Sequence, residues 1–120
     1  MSTSPDSKWA KDWQVGVNPT LEKSISNGLI AVFSRFWDAE NLDTKSKSTR
    51  QRYSGALHAL GGYLVQQAVQ DGANDDSVYA RLLGSVEGGE GPLIFPDNEG
   101  WQRELDAACR KLSRYLKRHA

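Results

Sequence analysis

The stretch from Ser48 to Gln70 constrains the fold more than any other part of this 120-residue sequence. It reads STRQRYSGALHALGGYLVQQAVQ and holds no proline. Its apolar residues recur at spacings of three and four, and small residues cover a second face, a pattern typical of a helix with several neighbours. Ser48 and Gln51 have capping-box spacing, which predicts that the helix begins at Ser48. The adjacent Gly61 and Gly62 indicate close approach by another helix, because glycine leaves room for it.

The remaining helices are predicted from capping residues and apolar spacing. Asn18 and Pro19 suit the N-cap and the first helical position, and an apolar stripe follows them from Leu21 to Trp37. That stripe continues through Asn27-Gly28, so a weakened or bent helix is expected there and not a turn. Asp75, Asp76 and Ser77 offer caps for a third helix, and Asp97 or Asn98 for a fourth. The predicted helices span residues 18–40, 48–71, 76–84 and 98–119.

These helices predict an all-α fold with a single compact domain over residues 18–120. Residues 1–17 are predicted to form an N-terminal arm, in which Ser7 caps a short helix that places Trp9 and Trp13 on one face. Two tryptophans in this arrangement favour an anchor onto the core. A glycine-rich loop precedes the last helix, and its apolar Leu93-Ile94-Phe95 is expected to pin it to the core.

Targeting and redox features point to the cytoplasm. No apolar run approaches the roughly 18 residues needed to span a bilayer, and the N-terminus does not resemble a secretory signal. Cys109 is the single cysteine, so no internal disulfide can form within the chain and a reducing compartment is expected. We therefore predict a cytoplasmic protein with no membrane partner.

Candidates for catalysis and metal binding are few. Cys109 lies beside the apolar stripe of the last helix, where a buried thiol is expected, and His58 favours a packed or half-exposed side chain. Neither forms a zinc pattern with His119, because no pair has close ligand spacing. DGANDDS lacks the twelfth-position glutamate of a calcium loop, and the loop SVEGGEGP carries two glutamates and no lysine, which disfavours phosphate binding. We predict no enzyme activity, no cofactor and no metal site.

The distribution of charge carries the main functional signal. The net charge is zero, but residues 71–107 hold two Lys or Arg against nine Asp or Glu, and residues 108–120 hold five against none. A second basic segment surrounds the predicted start of the central helix, where cations, hydroxyls and free N–H groups suit phosphate contacts. The candidate nucleic-acid contacts are Lys45, Lys47, Thr49, Arg50, Arg52, Arg110, Lys111, Arg114, Lys117 and Arg118.

These features support a small non-enzymatic binding or accessory protein, with DNA or RNA as the leading partner. The alternative is a protein–protein interaction module or homodimer with no nucleic-acid role, which would use exposed tryptophans or the Leu93–Phe95 loop. A simpler explanation of the basic segments is that they keep the connector soluble and complement the helix dipole. Whether the two basic segments adjoin separates these readings.

Two resemblances arise at these residues. The segments KSKSTRQRYSGALHALGGYLV, GPLIFPDNE and DAACRKLSRYLK resemble a group of small bacterial proteins of unknown function over about residues 40–118. This resemblance implies a fold and no mechanism. The segment SKSTRQRYSGAL is similar to a helix start in the core-binding domain of tyrosine recombinases, which implies DNA contacts by Lys47, Thr49, Arg50 and Arg52. The sequence has no recombinase catalytic domain, and its glycine loop and basic last helix lie outside that pattern.

Overall fold

The computed structural model describes residues 5–6, 8–14, 16–70, 78–86 and 91–118, with the backbone alone at residues 78–79. This part of the chain is mostly helical and holds no strand, which confirms the all-α prediction. The predicted cap at Ser7, the helix end near residues 71–72 and the caps at residues 75–77 lie outside the described residues. The helices are α1 (Lys8–Trp13), α2 (Pro19–Ala39), a 3₁₀ turn (Leu42–Thr44), α3 (Lys47–Gln70), α4 (Val78–Val86) and α5 (Glu99–Arg118).

Helix α2 begins where Asn18 and Pro19 predict. The Asn18 Oδ1 accepts a hydrogen bond from the Leu21 N–H at 3.3 Å, and the helix runs through Gly28 without a break. Its first turn also buries a charged side chain. The Glu22 carboxylate is fully buried and accepts the N–H groups of Gly16 at 3.0 Å and Asn18 at 2.8 Å. These bonds hold the residues before α2 in a fixed turn, in which Gly16 has a φ of 83°.

Helix α3 begins at Lys47, so the predicted cap at Ser48 is wrong. The capping residue is Ser46, whose Oγ accepts the Thr49 N–H at 3.2 Å and whose carbonyl accepts the Arg50 N–H at 3.0 Å. Its hydroxyl also donates to the Thr49 Oγ1 at 3.1 Å. Two serines two residues apart offer competing caps, and the one with a second hydroxyl three positions later defines the start.

The core lies between α2, α3 and α5, as predicted. Helix α3 packs against both of the others, and α2 meets α5 through the rings of Phe36 and Tyr115, whose centroids lie 5.7 Å apart. Helix α4 packs on α2 and α5, and α1 packs on α2 and α3. The largest fully buried side chains on the three central helices are Leu29, Phe33, Phe36, Trp37, Leu57, Leu60, Leu64, Leu105, Leu112 and Leu116.

Helix α1 is held by its tryptophans, which confirms their predicted role as an anchor. Both Trp9 and Trp13 are buried, and the Trp13 ring lies directly on Gly61 and Gly62 of α3. The indole N–H of Trp13 donates to the His58 carbonyl at 3.0 Å. The glycine pair therefore admits an aromatic side chain of α1, and a Cβ at Gly61 would overlap that ring.

Residues 91–98 form a strap that leads into α5. The Gln102 Oε1 accepts the N–H groups of Ile94 and Phe95, both at 3.0 Å, and its Nε2 donates to the Pro92 carbonyl at 3.0 Å. Ile94 and Phe95 pack on the core as predicted, but Leu93 is 71% exposed and does not pin the loop. Asn98 caps α5, since its Oδ1 accepts the Trp101 N–H at 3.0 Å. No helix in the described part of the chain is long and apolar enough to cross a membrane.

Candidate nucleic-acid interface

The first turns of α3 lie against the middle of α5, and this contact connects the two predicted basic segments. The Arg52 Nε lies 3.7 Å from the Glu104 Oε1. One residue further along α3, the Tyr53 ring lies beneath the Lys111 ammonium, with 5.9 Å between the nitrogen and the ring centroid. Lys111 thus belongs to one basic segment and contacts the residue that ends the other.

Helix α5 presents a stripe of cations on its outward face. At about 100° per residue, its basic residues fall within one third of the helix circumference, opposite the buried Leu105, Leu112 and Leu116. All of them are exposed. The span from Arg103 to Arg118 corresponds to roughly 22 Å along the helix axis. This set, the α5 stripe, consists of Arg103, Arg110, Lys111, Arg114, Lys117 and Arg118.

The C-terminal half of the α5 stripe lines an open depression of about 550 Å³. Its lining includes Glu40, which directly follows the last residue of α2, so the end of α2 forms one wall. Four cations then share the space with one carboxylate, and an anion is electrostatically favoured there. The four cations are Lys111, Arg114, Lys117 and Arg118.

The first turns of α3 contribute less than predicted. Thr49 is engaged with the capping Ser46, and the Arg50 guanidinium donates to the Asp43 carbonyl at 3.3 Å. Arg52 is paired with Glu104. Lys45 and Lys47 are exposed at the surface. The structure therefore places the α5 cations outward, whereas Thr49, Arg50 and Arg52 hold the helix start in place and would have to exchange partners to bind a phosphate.

A groove beside the α5 stripe was missed by sequence reasoning. It runs between the first half of α3 and the first half of α5 as two adjoining depressions of about 230 Å³ each, which share Arg52 and Glu104. Trp101 lines its upper part and is 59% exposed, although it falls on the apolar stripe of α5 and was predicted to be buried. We call this the α3–α5 groove. It is lined by Thr49, Gln51, Arg52, Tyr53, Gly55, Ala56, Phe95, Trp101, Arg103, Glu104, Leu105, Ala107 and Ala108.

His58 forms an ion-pair contact that no local sequence signal indicates. Its Nε2 lies 3.0 Å from the Asp12 Oδ2, and its ring lies edge-on to Trp9 with 5.3 Å between centroids. The depression beside this pair also contains Tyr63 and Gln66, and none of its lining residues is a serine, threonine or cysteine. An Asp–His pair without a nucleophile cannot perform acyl transfer by the triad mechanism. Its geometry instead clips α1 onto α3.

Cys109 is buried beneath the strap, as predicted. Burial, and to a smaller degree the nearby Asp106 carboxylate, raises the pKa of its thiol to about 12. A thiol with this pKa stays protonated near neutral pH and is a poor nucleophile. Among the described residues, no three His, Cys, Asp or Glu side chains come close enough together to hold a metal ion.

No protein-family model, curated protein or solved structure matches this chain. Inferences about function therefore rest on the geometry and charge of its own residues.

Proposed function

We propose that this protein is a non-enzymatic, cytoplasmic nucleic-acid-binding protein that contacts the phosphate backbone through the α5 stripe. The observation that supports this proposal is the row of exposed cations on the outward face of α5, joined to the start of α3 by Lys111 above Tyr53. A row of Lys and Arg on one helix face is the electrostatic footprint of backbone binding.

Two simpler roles account for only part of the α5 stripe. Cations in a last helical turn complement the helix dipole, but in α5 only Lys117 and Arg118 occupy that turn. Intrahelical ion pairs need an acidic residue three or four positions away, and α5 has none after Asp106. Lys111 and Arg114 are explained by neither role. An external anion would satisfy them.

Fluorescence anisotropy with random-sequence DNA and RNA at 50 and 200 mM salt tests the proposal. We expect binding at low salt and a steep loss at high salt, because each phosphate contact releases condensed counterions. The double variant Arg114→Gln/Lys117→Gln should lower affinity by about tenfold at low salt and reduce the magnitude of the log–log salt slope by about 1.4 to 1.8. The substitutions keep the side chains polar and lie on an exposed face, so the fold should be unaffected.

The matched control is Lys11→Gln/Lys23→Gln, which removes two exposed cations from α1 and from the start of α2. Its affinity should equal that of the wild type within about twofold, apart from the small effect of total charge. Absence of binding at low salt, or an equal loss in both double variants, would contradict the proposal.

A protein partner or a second copy of the chain is the other candidate. It is supported by Trp101 and Leu93, two large apolar side chains that are 59% and 71% exposed at the N-terminal end of α5. Exposed aromatic residues are favoured at the centres of protein interfaces. Light scattering across a range of protein concentrations tests the homodimer, and a monomer at every concentration would contradict it.

A further inference from the structure

We infer that the α3–α5 groove receives single-stranded nucleic acid and that an unpaired base stacks on Trp101. This inference rests on the proposed function and names the form of nucleic acid bound. The groove adjoins the α5 stripe directly, because Arg103 belongs to both and Tyr53, which lines the groove, lies beneath Lys111. A strand that follows the stripe would enter the groove at that point.

Trp101 is a preorganised platform for stacking. Its ring is held edge-to-face against Phe95, with 5.6 Å between centroids and 77° between planes. Phe95 is fixed in turn by the hydrogen bond from its N–H to the Gln102 Oε1 at 3.0 Å. A side chain held in this way loses little conformational freedom when a base stacks on it, so the stacking energy is largely retained as affinity.

The charge of the groove suits a phosphate backbone. Arg52 and Arg103 line it and Lys111 lies at its end, against the single carboxylate of Glu104. The other carboxylates near the start of α5, Glu99 and Asp106, line a separate depression on the strap side. Three cations and one anion therefore face the strand along about 15 Å of α5 between Trp101 and Lys111.

Trp101 distinguishes single strands from duplexes. Bases in a duplex already stack on their neighbours, so their faces are closed to an aromatic side chain, whereas an unpaired base can leave the strand and stack on a protein ring. Gly55 opposite Trp101 has open space where a Cβ would stand, which leaves the groove wide enough for a flat ring. Backbone contacts alone would not prefer single strands.

Tryptophan fluorescence and anisotropy with a twelve-nucleotide oligo-dT and a mixed-sequence duplex of equal length test the inference. Trp9, Trp13 and Trp37 are buried, so quenching by the oligonucleotide reports on Trp101. We expect Trp101→Ala to weaken oligo-dT binding by about 5-fold to 100-fold and to change duplex binding by less than twofold. Trp101→Phe should recover part of the loss, because a smaller ring still stacks.

Leu93→Ala is the matched control, since Leu93 is also exposed but lies outside the groove. It should leave both affinities unchanged. Equal oligo-dT binding by the wild type and Trp101→Ala would overturn the inference, as would a wild-type dimer that Trp101→Ala dissociates, because the groove would then be a subunit interface. If the duplex and the oligonucleotide bind equally and only Arg114→Gln/Lys117→Gln weakens them, the proposed function stands and this inference fails. If no nucleic acid binds, both fail.

Discussion

Trp13 and Trp101 lie at opposite ends of a short stretch of α3, and each is near a glycine of that helix. Trp13 covers Gly61 and Gly62, is 4% exposed and donates its indole N–H to the His58 carbonyl. Trp101 shares the α3–α5 groove with Gly55, above which there is open space, and is 59% exposed. The same pair of residue types thus forms a closed contact at one site and an open one at the other.

The difference shows what each glycine does. At Gly61 the absence of a side chain lets α1 dock, because a Cβ there would overlap the Trp13 ring. At Gly55 the absence of a side chain brings no neighbour closer, and it costs helix stability with no return in packing. Packing explains the first glycine and leaves the second unexplained. A bound ring in the groove would explain it.

The largest expected effect separates the two tryptophans by stability. Trp13→Ala should lower the free energy of unfolding by about 3–5 kcal/mol, because it removes a buried ring and leaves the His58 carbonyl without its donor. Trp101→Ala should lower it by less than about 0.5 kcal/mol, since surface substitutions have small effects. Urea denaturation followed by circular dichroism measures both. Equal losses would show that the two sites are not different in kind.

The glycines should respond in opposite directions. Gly61→Ala should destabilise the protein by about 2–3 kcal/mol, because the new methyl group displaces the Trp13 ring and overpacks the site. Gly55→Ala should stabilise it by about 0.5–1 kcal/mol, because alanine favours the helix and meets no neighbour. The same urea experiment tests this pair. A destabilising Gly55→Ala would mean that something already occupies the groove in the free protein.

Predictability from the sequence followed the range of the interactions involved. Asn18 and Pro19 located the start of α2 because capping depends on neighbouring residues. Ser46 was displaced by Ser48 in the prediction, since both precede the helix and only the structure shows which hydroxyl accepts an N–H. Glu22 was missed although it is three and seven positions before Ile25 and Leu29 on the buried face. That spacing was a usable signal, which the charge of the residue hid.

The candidate site depends on contacts that are distant in the sequence. The α5 stripe was predicted from the sequence, because its cations recur on one helix face. The α3–α5 groove was not, because it depends on where α5 crosses α3 and on where its covering neighbours end. Trp101 continues the apolar spacing of Leu105 and Leu112, so periodicity alone assigns it to the core. It is exposed because the core ends before the first turn of α5.

The strap gives a third test, on the side of α5 away from the groove. Gln102→Ala removes the acceptor of the Ile94 and Phe95 N–H groups and should cost about 1–2 kcal/mol. It should also speed the reaction of Cys109 with a thiol reagent at pH 8, because the strap covers that residue at Gly91. In the wild type the reaction should be slow and follow global unfolding, since burial raises the pKa of the thiol to about 12.

The sign of the pH dependence follows from that pKa. Above the ordinary thiol pKa of 9.0, the unfolded chain loses the Cys109 proton while the folded chain keeps it, so this thiol makes stability fall as the pH rises from 9.0 toward about 12. Cys109→Ser, followed by urea denaturation at pH 8 and pH 10, should show a smaller decrease than the wild type. Fast labelling of the wild-type thiol in the absence of urea would contradict its burial.

The smallest expected effect is at the ion pair inside the groove. The Arg52 and Glu104 side chains are 62% and 48% exposed and lie 3.7 Å apart, so Glu104→Gln should change stability by less than about 0.5 kcal/mol. It should nevertheless raise the affinity for oligo-dT about twofold to fivefold at low salt, because it removes the one carboxylate of the groove and frees Arg52 for a phosphate. Glu99→Gln, a carboxylate on the strap side, is the control and should raise affinity less. An equal gain in both variants would attribute the effect to net charge, and the groove would then be no more a binding site than the rest of the α5 surface.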